Sequence, residues 1–590
     1  MNKEALRQQH IVKGLRQKPI VIAEADKSNN IIILDDEDYE GKVRKMISEG
    51  PYKEIVENPL NNMIKEVNDV LKKHQYQLTD NPRMELRKWK VSNPRMPAMY
   101  CNGKLHKMVR IDDELKMRPI ASNINAPTQI IAKWLLAEFK KLTPPKSKSV
   151  KNSFDFAELM RNVRITRNEE MTSYDATALY PNIPVPETLG YLKEWLEDNK
   201  VPKARKEMYI DFTKVCMNQN VFTFRGKFYM QTYGVAMGNS LSCFIAEIFM
   251  SRFETRLENN PIFPRVYHRF VDDIFSITNK RKIDAVNELF NSQHQTIKFT
   301  IEREKDGKIA FLDTMVERKN GEIHLDIYRK PTVTDRIIPC DSHHDFKQKT
   351  AAFHSMAHRM VTLPLTTENY NKEMDTIKRI GEINGYDERI VSNIIHKHEK
   401  KRELRDLTTL ETMETEKPVR RSVRYYPEVT KQLKPFYKKY NIELVHSSNG
   451  TIKQHLGTIK DKIPDNAKSG IYKVVCQQCN REYFGMSCRC IEVRYNEHES
   501  YWRLGKKDKS AVAAHMLSNN GHTTDLSKLS LVKEINDKHK LRFYEAIFIH
   551  KNKLNLMNND LGNVNSPLLD FFTEKNRERT IFDIDVTIFN

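Results

Sequence analysis

The sequence predicts an α+β protein of several domains, and three observations lead there. Its 590 residues are too many for one hydrophobic core. Up to about residue 345, short apolar runs of strand character alternate with amphipathic helical stretches. Beyond that point the composition breaks twice, first into a charged segment nearly free of aromatics and then, near Gly470, into a compact unit in which four of the eight cysteines crowd together.

From the N-terminus, "VIAEADKSNNIIILDDEDY" reads as two strands joined by a turn at Asn29-Asn30. Residues 1–150 and 151–345 divide this first region into two mixed segments. Residues 346–400 carry apolar side chains at helical spacing, with Gly381 and Gly385 as punctuation, and predict a small helical subdomain. Residues 399–424 have the composition of a linker, which predicts motion between the units on either side. The whole of 401–468, including the basic, aromatic-bearing "KQLKPFYKKYNI", reads as linker and connector. A last domain spans 469–590.

Charge narrows the partners. Lys plus Arg number 98 against 78 Asp plus Glu, a net charge of +20, so the expected partner is a polyanion and nucleic acid leads. No window approaches the length of a membrane span, and the opening residues lack the apolar core of a signal peptide. The expectation is an intracellular protein, and basic clusters near 400–424 fit nuclear import. Cys101, Cys216, Cys243 and Cys340 are scattered, as reduced thiols would be.

Two constellations carry chemistry. In "MTSYDATALYPNIPV" a β-prone run delivers Asp175, and "RFVDDIF" delivers Asp272 and Asp273. Adjacent carboxylates each raise the cost of ionising the other, and a hard divalent cation relieves that cost. Template-directed nucleotide addition needs two such cations, held by acids on neighbouring strand ends. Between the two runs lies "QTYGVAMGNSLSCFIAEIFMSRFE", whose Gly234 and Gly238 permit close backbone approach and whose Asn239 or Ser240 can cap the following helix.

In this order and spacing the motifs resemble a reverse transcriptase, specifically the polymerase of Penelope-like retroelements, over about residues 20–400. The resemblance implies a right-hand fold: fingers within 1–150, a palm within 151–345 and a helical thumb within 346–400. It makes Asp175 and Asp272 the Mg²⁺ ligands, with Asp273 in support. Gln231 and Gly234 fall in the motif beside the nascent base pair, and Tyr180 at the aromatic gate that clashes with a ribose 2′-hydroxyl. Lys107 and Arg118 map to the triphosphate grip. The chain departs from the family at Gly103-Lys104, where proline-lysine is usual, and at Asp26-Lys27-Ser28, where the third residue is usually glycine.

The second constellation is "SGIYKVVCQQCNREYFGMSCRCIEVRYNEH", which resembles a GIY-YIG endonuclease. There the resemblance implies catalytic roles for Tyr472, Tyr483, Arg494 and His498, with Glu545 in "FYEAIFI" as the Mg²⁺ or Mn²⁺ ligand and Asn558, or nearly as well Asn555, as the family's site asparagine. Cys476, Cys479, His515 and His522 match the Cys-Cys-His-His zinc insertion of Penelope-like nucleases, with Cys488 and Cys490 as competing ligands that default to free thiols.

A nick of this type leaves a 3′-hydroxyl and a reverse transcriptase consumes one. The expected function is therefore target-primed reverse transcription, with template RNA, target and primer DNA and dNTPs as partners. Two rivals stand beside it: a telomere-end extender with an idle nuclease, and a binding scaffold whose sites have decayed.

Overall fold

The computed structural model describes residues 3–27, 30–78, 86–108, 110, 113–407, 418–447, 459–552 and 555–558. Strands β1 (Ile20–Glu24) and β2 (Ile31–Asp35) pair antiparallel, as the sequence predicts, although Asn29 of the expected turn lies outside the described residues. The chain then lays down β3 (Tyr52–Ile55), β4 (Ala98–Gly103) and β5 (Met117–Ser122), leaves through β6 (Glu169–Ala176), and returns with β7 (Val221–Phe224) and β8 (Lys227–Gln231). These form a five-stranded sheet of order β3-β8-β7-β4-β5 over a core that includes Val43, Met99, Cys101 and Phe222.

The central sheet is built from β6 with β9 (Val266–Phe270), β10 (Asp273–Asn279) and β11 (Phe299–Arg303), in antiparallel order β11-β6-β10-β9. Alternation along its strands buries both faces. Tyr174, Ile274 and Tyr267 enter one core with the Ser242–Leu257 helix, while Met171, Phe275 and Ile277 enter another. With both faces packed, only the strand ends remain open to substrate, and those ends carry the acids.

The second core is closed by an antiparallel sheet of β12 (Lys308–Phe311), β13 (Thr314–Lys319) and β14 (Glu322–Ile327), and by three helices, Phe346–Thr362, Thr367–Ile383 and Glu388–Leu407. Gly381 is not a break. It lies inside the second helix, where a side chain would collide with Val391 Cγ2 at 2.7 Å, whereas Gly385, with φ of +77°, does end it.

Between the helical unit and the C-terminal domain the structure corrects the linker expectation. The third helix runs on to Leu407, and β15 (Val419–Arg424), the Pro427–Lys438 helix and β16 (Ile442–Ser447) fold into a βαβ unit with parallel strands. The unit is fixed to the first of the three helices by Lys434–Asp345 and Lys347–Glu443 ion pairs, both 3.0 Å, and by Gln348 donating to His446 O at 2.9 Å. Residues 408–417 of the expected linker lie outside the described residues.

The C-terminal domain has a three-stranded antiparallel sheet, β17 (Gly470–Val475), β18 (Glu482–Ser487) and β19 (Leu529–Glu534), in the order β18-β17-β19. Helices Ile491–Arg503 and Ala511–Ser518 serve one core and Lys538–Lys551 another. The domain is docked on the first sheet. Ile459 packs into that sheet's core, Lys460 Nζ donates to Ser122 Oγ at 2.9 Å and sits 5.0 Å from the Tyr100 ring centre, and Asn93 Nδ2 donates to Ala467 O at 3.1 Å. No helix among the described residues is long and apolar enough to cross a membrane.

Candidate active sites

Asp175 ends β6 and Asp273 begins β10, and the antiparallel register sets them directly opposite one another. Asp272 occupies the tight connection between β9 and β10, where its carbonyl accepts from Ala176 N at 3.0 Å and the preceding Val271 takes φ of +57°. A β-branched residue rarely adopts that conformation. It persists because Arg269, fully buried, donates to Val271 O at 3.1 Å. The same guanidinium meets both oxygens of Glu247 at 3.0 Å and Glu254 at 2.5 Å.

Crowding shows in the titration of the acids. Burial and then the charges of Asp272 and Asp175 push Asp273 up to about 6, and burial and Asp175 also raise Asp272. Lys27 and Arg118 act on this cluster from across the site in the opposite sense. Arg118 is aimed by a 2.9 Å hydrogen bond from Nε to Asp26. Lys104 is beside it, its ammonium pKa lowered by burial and by the like charges of Arg118 and Lys107. Lys107 itself is exposed. Carboxylates facing a basic wall form a place for cations and a polyphosphate together.

Tyr180 is positioned between these groups. Its phenol is raised by burial and by Cys243, to which it donates at 3.3 Å, and it also feels Asp272 and Arg118. Its carbonyl accepts from Val235 N at 2.8 Å, which ties it to the loop carrying Gly234. A side chain at Gly234 would meet Pro181 O at 2.1 Å, so only glycine allows this approach. Asn239 Oδ1 accepts from Leu241 N at 3.0 Å, a turn just before the Ser242–Leu257 helix. Gln231 is buried and donates to Tyr233 O at 2.8 Å, so its amide holds the loop. Sequence reading quoted Lys27 and Lys104 within family motifs without giving them a role, and overlooked Arg269, the cation three residues before Asp272.

The second site lies on β17, β18 and two helices. Tyr472 and Tyr483 stand on paired strands with ring centres 6.1 Å apart. Gly485 makes room for them, since a Cβ there would come 2.5 Å from the Tyr472 hydroxyl. The Tyr472 hydroxyl is 2.7 Å from His498 Nε2, and His498 Nδ1 is 2.6 Å from Ser510 Oγ. Burial and the nearby Arg494 hold His498 down at about 4, so at neutral pH the ring is uncharged, with one nitrogen donating and the other accepting. Burial, then Tyr483, holds the Tyr472 phenol well above the usual tyrosine range, and Arg494 opposes this. Tyr483 is raised by burial and by the charge of Glu545, on the Lys538–Lys551 helix.

Glu497, unremarked in the sequence, bridges Arg494 at 2.5 Å and Arg489 at 2.6 Å. Beside them opens a cleft of about 720 Å³ whose lining includes Cys488, Arg489, Arg494, Lys538 and Arg542. Asn558 lies against the strand that carries Tyr483. Its amide donates to Phe484 O at 2.7 Å and accepts from Phe484 N at 3.0 Å, so it holds the strand that carries Tyr483. Asn555 likewise donates to Asn480 O at 2.8 Å.

Cys476, Cys479, His515 and His522 converge, with their donor atoms all within 4.8 Å of one another. Cys476 Sγ to His522 Nδ1 and Cys479 Sγ to His515 Nε2 are both 3.4 Å, and the two histidine nitrogens are 3.2 Å apart. Bond lengths of about 2.3 Å to sulfur and 2.0 Å to nitrogen at tetrahedral angles would give edges of roughly 3.3–3.8 Å, so the four donors fit a zinc ion. Cys490 instead donates to Asn466 O at 3.0 Å and Cys488 is exposed, so both lie outside this cluster.

A family model for the animal helix-turn-helix domain matches residues 336–396. No curated protein matches the sequence. Among solved structures, telomerase from Candida albicans in complex with a fragment of telomeric RNA is similar at 13% identity, covering 67% of this chain and 70% of that one, with a TM-score of 0.42. Telomerase from Candida tropicalis in the corresponding complex gives 11% identity over 66% of this chain and 64% of that one, TM-score 0.37. The Sicinivirus 3Dpol RNA-dependent RNA polymerase gives 12% over 66% and 94%, TM-score 0.35. At these identities and scores the likenesses assign no residue and no reaction to this chain.

Proposed function

We propose that the chain is a Penelope-like retroelement protein that nicks target DNA in its C-terminal GIY-YIG domain and extends the exposed 3′-hydroxyl by copying RNA at the Asp175–Asp272–Asp273 site. The observation that carries this reading is the pairing of Asp175 with Asp273 across one ladder step, with Asp272 at the turn and Lys27 and Arg118 opposite. In the terms of the right-hand fold, the five-stranded sheet is the fingers, the central sheet the palm and the three helices the thumb. The similarity of residues 336–396 to a helix-turn-helix model supports a nucleic-acid-facing role for that thumb.

Divalent cations such as Mg²⁺, held by Asp175 and Asp272 when bound, supply activation of the primer hydroxyl and neutralisation of the triphosphate. The protein's own groups do the rest. Arg118, aimed by Asp26, and Lys107 take phosphate oxygens. Tyr180 stands where an extra 2′-hydroxyl would collide, which favours dNTPs. Asp273 supports the pair of ligands from the strand end.

In the nuclease, Arg494 meets the phosphate, and Glu545 would hold the metal. Neutral His498 hydrogen-bonds the Tyr472 hydroxyl and orients it, with Ser510 fixing the ring. Cys476, Cys479, His515 and His522 hold a structural zinc. The partners are element RNA as template, target and primer DNA, and dNTPs, and the place of action is the nucleus.

The test supplies plasmid, element RNA, dNTPs and Mg²⁺ and reads cDNA covalently joined to the nicked strand. Asp272→Asn should abolish extension and leave nicking. Glu545→Ala should abolish nicking and the joined product yet still extend a supplied primer. Extension that survives Asp272→Asn unchanged would remove the palm assignment, and nicking that survives Glu545→Ala would return the nuclease to an idle role.

A further inference from the structure

The βαβ unit of residues 418–447 belongs to neither catalytic site, and its surface is built for a partner. Along and just beyond its helix, Val429, Leu433, Phe436 and Tyr440 recur at helical spacing, and all four are exposed, Phe436 by 54% and Tyr440 by 65%. Buried Thr430, on the neighbouring face, faces the unit's own interior. The rings of Phe436 and Tyr440 lie 5.4 Å apart, and the Arg424 guanidinium sits 5.4 Å from the centre of the exposed Tyr426 ring. The unit carries seven Lys and Arg, at 420, 421, 424, 431, 434, 438 and 439, against two acids, Glu428 and Glu443, and Glu443 is already engaged by Lys347 and Arg420. A cleft of about 430 Å³ beside the helix is lined in part by Lys347, Lys434 and Lys438.

Exposed aromatic rings with cations between them are the arrangement that stacks bases while tracking phosphates. A basic helix with an apolar face could also lie on an anionic membrane. Here the helix has twelve residues, is interrupted by Pro435, and is clamped to the three-helix unit through Lys434 and Asp345, which keeps it from settling into a bilayer surface. We propose that this face binds a single nucleic-acid strand, with bases on Phe436 and Tyr440 and phosphates on Lys438, Lys439 and Arg424. The choice of nucleic acid rests on the polymerase reading and on charge complementarity; the surface itself stands apart from both catalytic sites.

The experiment uses the full chain carrying Asp272→Asn and Glu545→Ala, so that probes survive. Fluorescence anisotropy with labelled single-stranded RNA and single-stranded DNA long enough to reach past the palm is compared with a short primer–template that fills only the palm. Phe436→Ala with Tyr440→Ala should weaken binding of the long strands about tenfold or more, and leave the short primer–template unchanged. Lys438→Glu with Lys439→Glu should flatten the salt dependence for the long strands by roughly one to two units of slope. RNA and DNA probes then tell which strand is preferred.

Long-strand affinity and salt slope equal to the parent's in both variants would overturn the proposal. So would an effect confined to anionic vesicles, or to self-association in sedimentation, since the face would then belong to a membrane or to a second copy. Primer extension by the two surface variants, with Asp272 restored, shows separately whether the palm is a polymerase.

Discussion

Arg269 shows how much of a site can sit behind the residues a motif displays. In "RFVDDIF" it reads as the polar edge of a strand, yet it is fully buried and neutralises two glutamates from the Ser242–Leu257 helix while holding the carbonyl of Val271. The three carboxylates were legible because their type and spacing are dictated by metal chemistry. The arginine was not, because its partners lie at Glu247 and Glu254 and the fold alone brings them together. Arg269→Met keeps much of the bulk but leaves the buried Glu254 and the part-exposed Glu247 without their cation, which should cost about 3–5 kcal/mol in denaturant unfolding, chiefly through Glu254. Where the variant remains folded, the Mg²⁺ concentration for half-maximal extension should rise, because Val271 no longer fixes Asp272. A second prediction concerns Asp273. Its folded pKa of about 6 exceeds that of a free aspartate, so the fold favours the protonated form, and that contribution to stability is lost as pH rises from the ordinary carboxylate range through 6. Metal binding answers the resulting repulsion. Mg²⁺ should therefore raise Tm more at about pH 8 than at about pH 5 in thermal scans, and Asp273→Asn should shrink the difference, leaving the part due to Asp272.

At the scale of elements, what the sequence disclosed followed the chemistry of each segment. The two tyrosine strands are marked by glycines that the packing requires, as at Gly485 against Tyr472, and the ligand quartet is marked by residue type. "VRRSVR" carries no such mark. Its strand exists because β16, beyond the intervening helix, pairs with it, and charged composition concealed that partnership as a linker. Asn558 was found from the family pattern, but its role became readable only when both ends of its amide were seen on Phe484. The Cys476 to His522 cluster ties the segment between β17 and β18 to the helix Ala511–Ser518 and the loop after it. Cys479→Ala, or treatment with a chelator, should release about one zinc per chain and lower the unfolding temperature of the nuclease domain. Nicking should fall with it while extension of a supplied primer persists. Metal analysis and calorimetry of the full chain check both, and loss of extension in parallel would show that the cluster supports more than its own domain.

For the whole molecule, the question is whether the two proposed sites in one chain act as one machine. The expectation of a mobile linker gave independent domains, but the segment beginning at Ile459 is anchored in the first sheet. Lys460 contacts Ser122 at the end of β5, the strand that also carries Arg118, and the Ala121 amide of that strand donates to Met237 O at 2.9 Å in the loop that carries Gly234 and Gly238. The C-terminal domain is thus held against the element proposed to grip the incoming nucleotide. Arg95 pairs with Glu534 of β19 at 3.8 Å across the same contact. On the proposed function, holding both sites in one frame would raise the local concentration of the nicked end at the Asp175–Asp272 site, an effect lost when the tether becomes free. Ile459→Asp with Lys460→Ala removes the apolar plug and the Ser122 contact, weakens the anchor to its Asn93–Ala467 and Arg95–Glu534 contacts, and changes no residue of either proposed site. Nicking of plasmid alone and extension of a supplied primer should each stay within about twofold of the parent, while cDNA joined to the nicked strand should fall on the order of tenfold. The decisive comparison is the ratio of joined product to nicked product. If that ratio is unchanged, docking contributes nothing to transfer of the end, and the coupling must come from the nucleic acid itself; if it falls while the separate activities hold, the contact between the nuclease and the first sheet is what passes the primer from one site to the other.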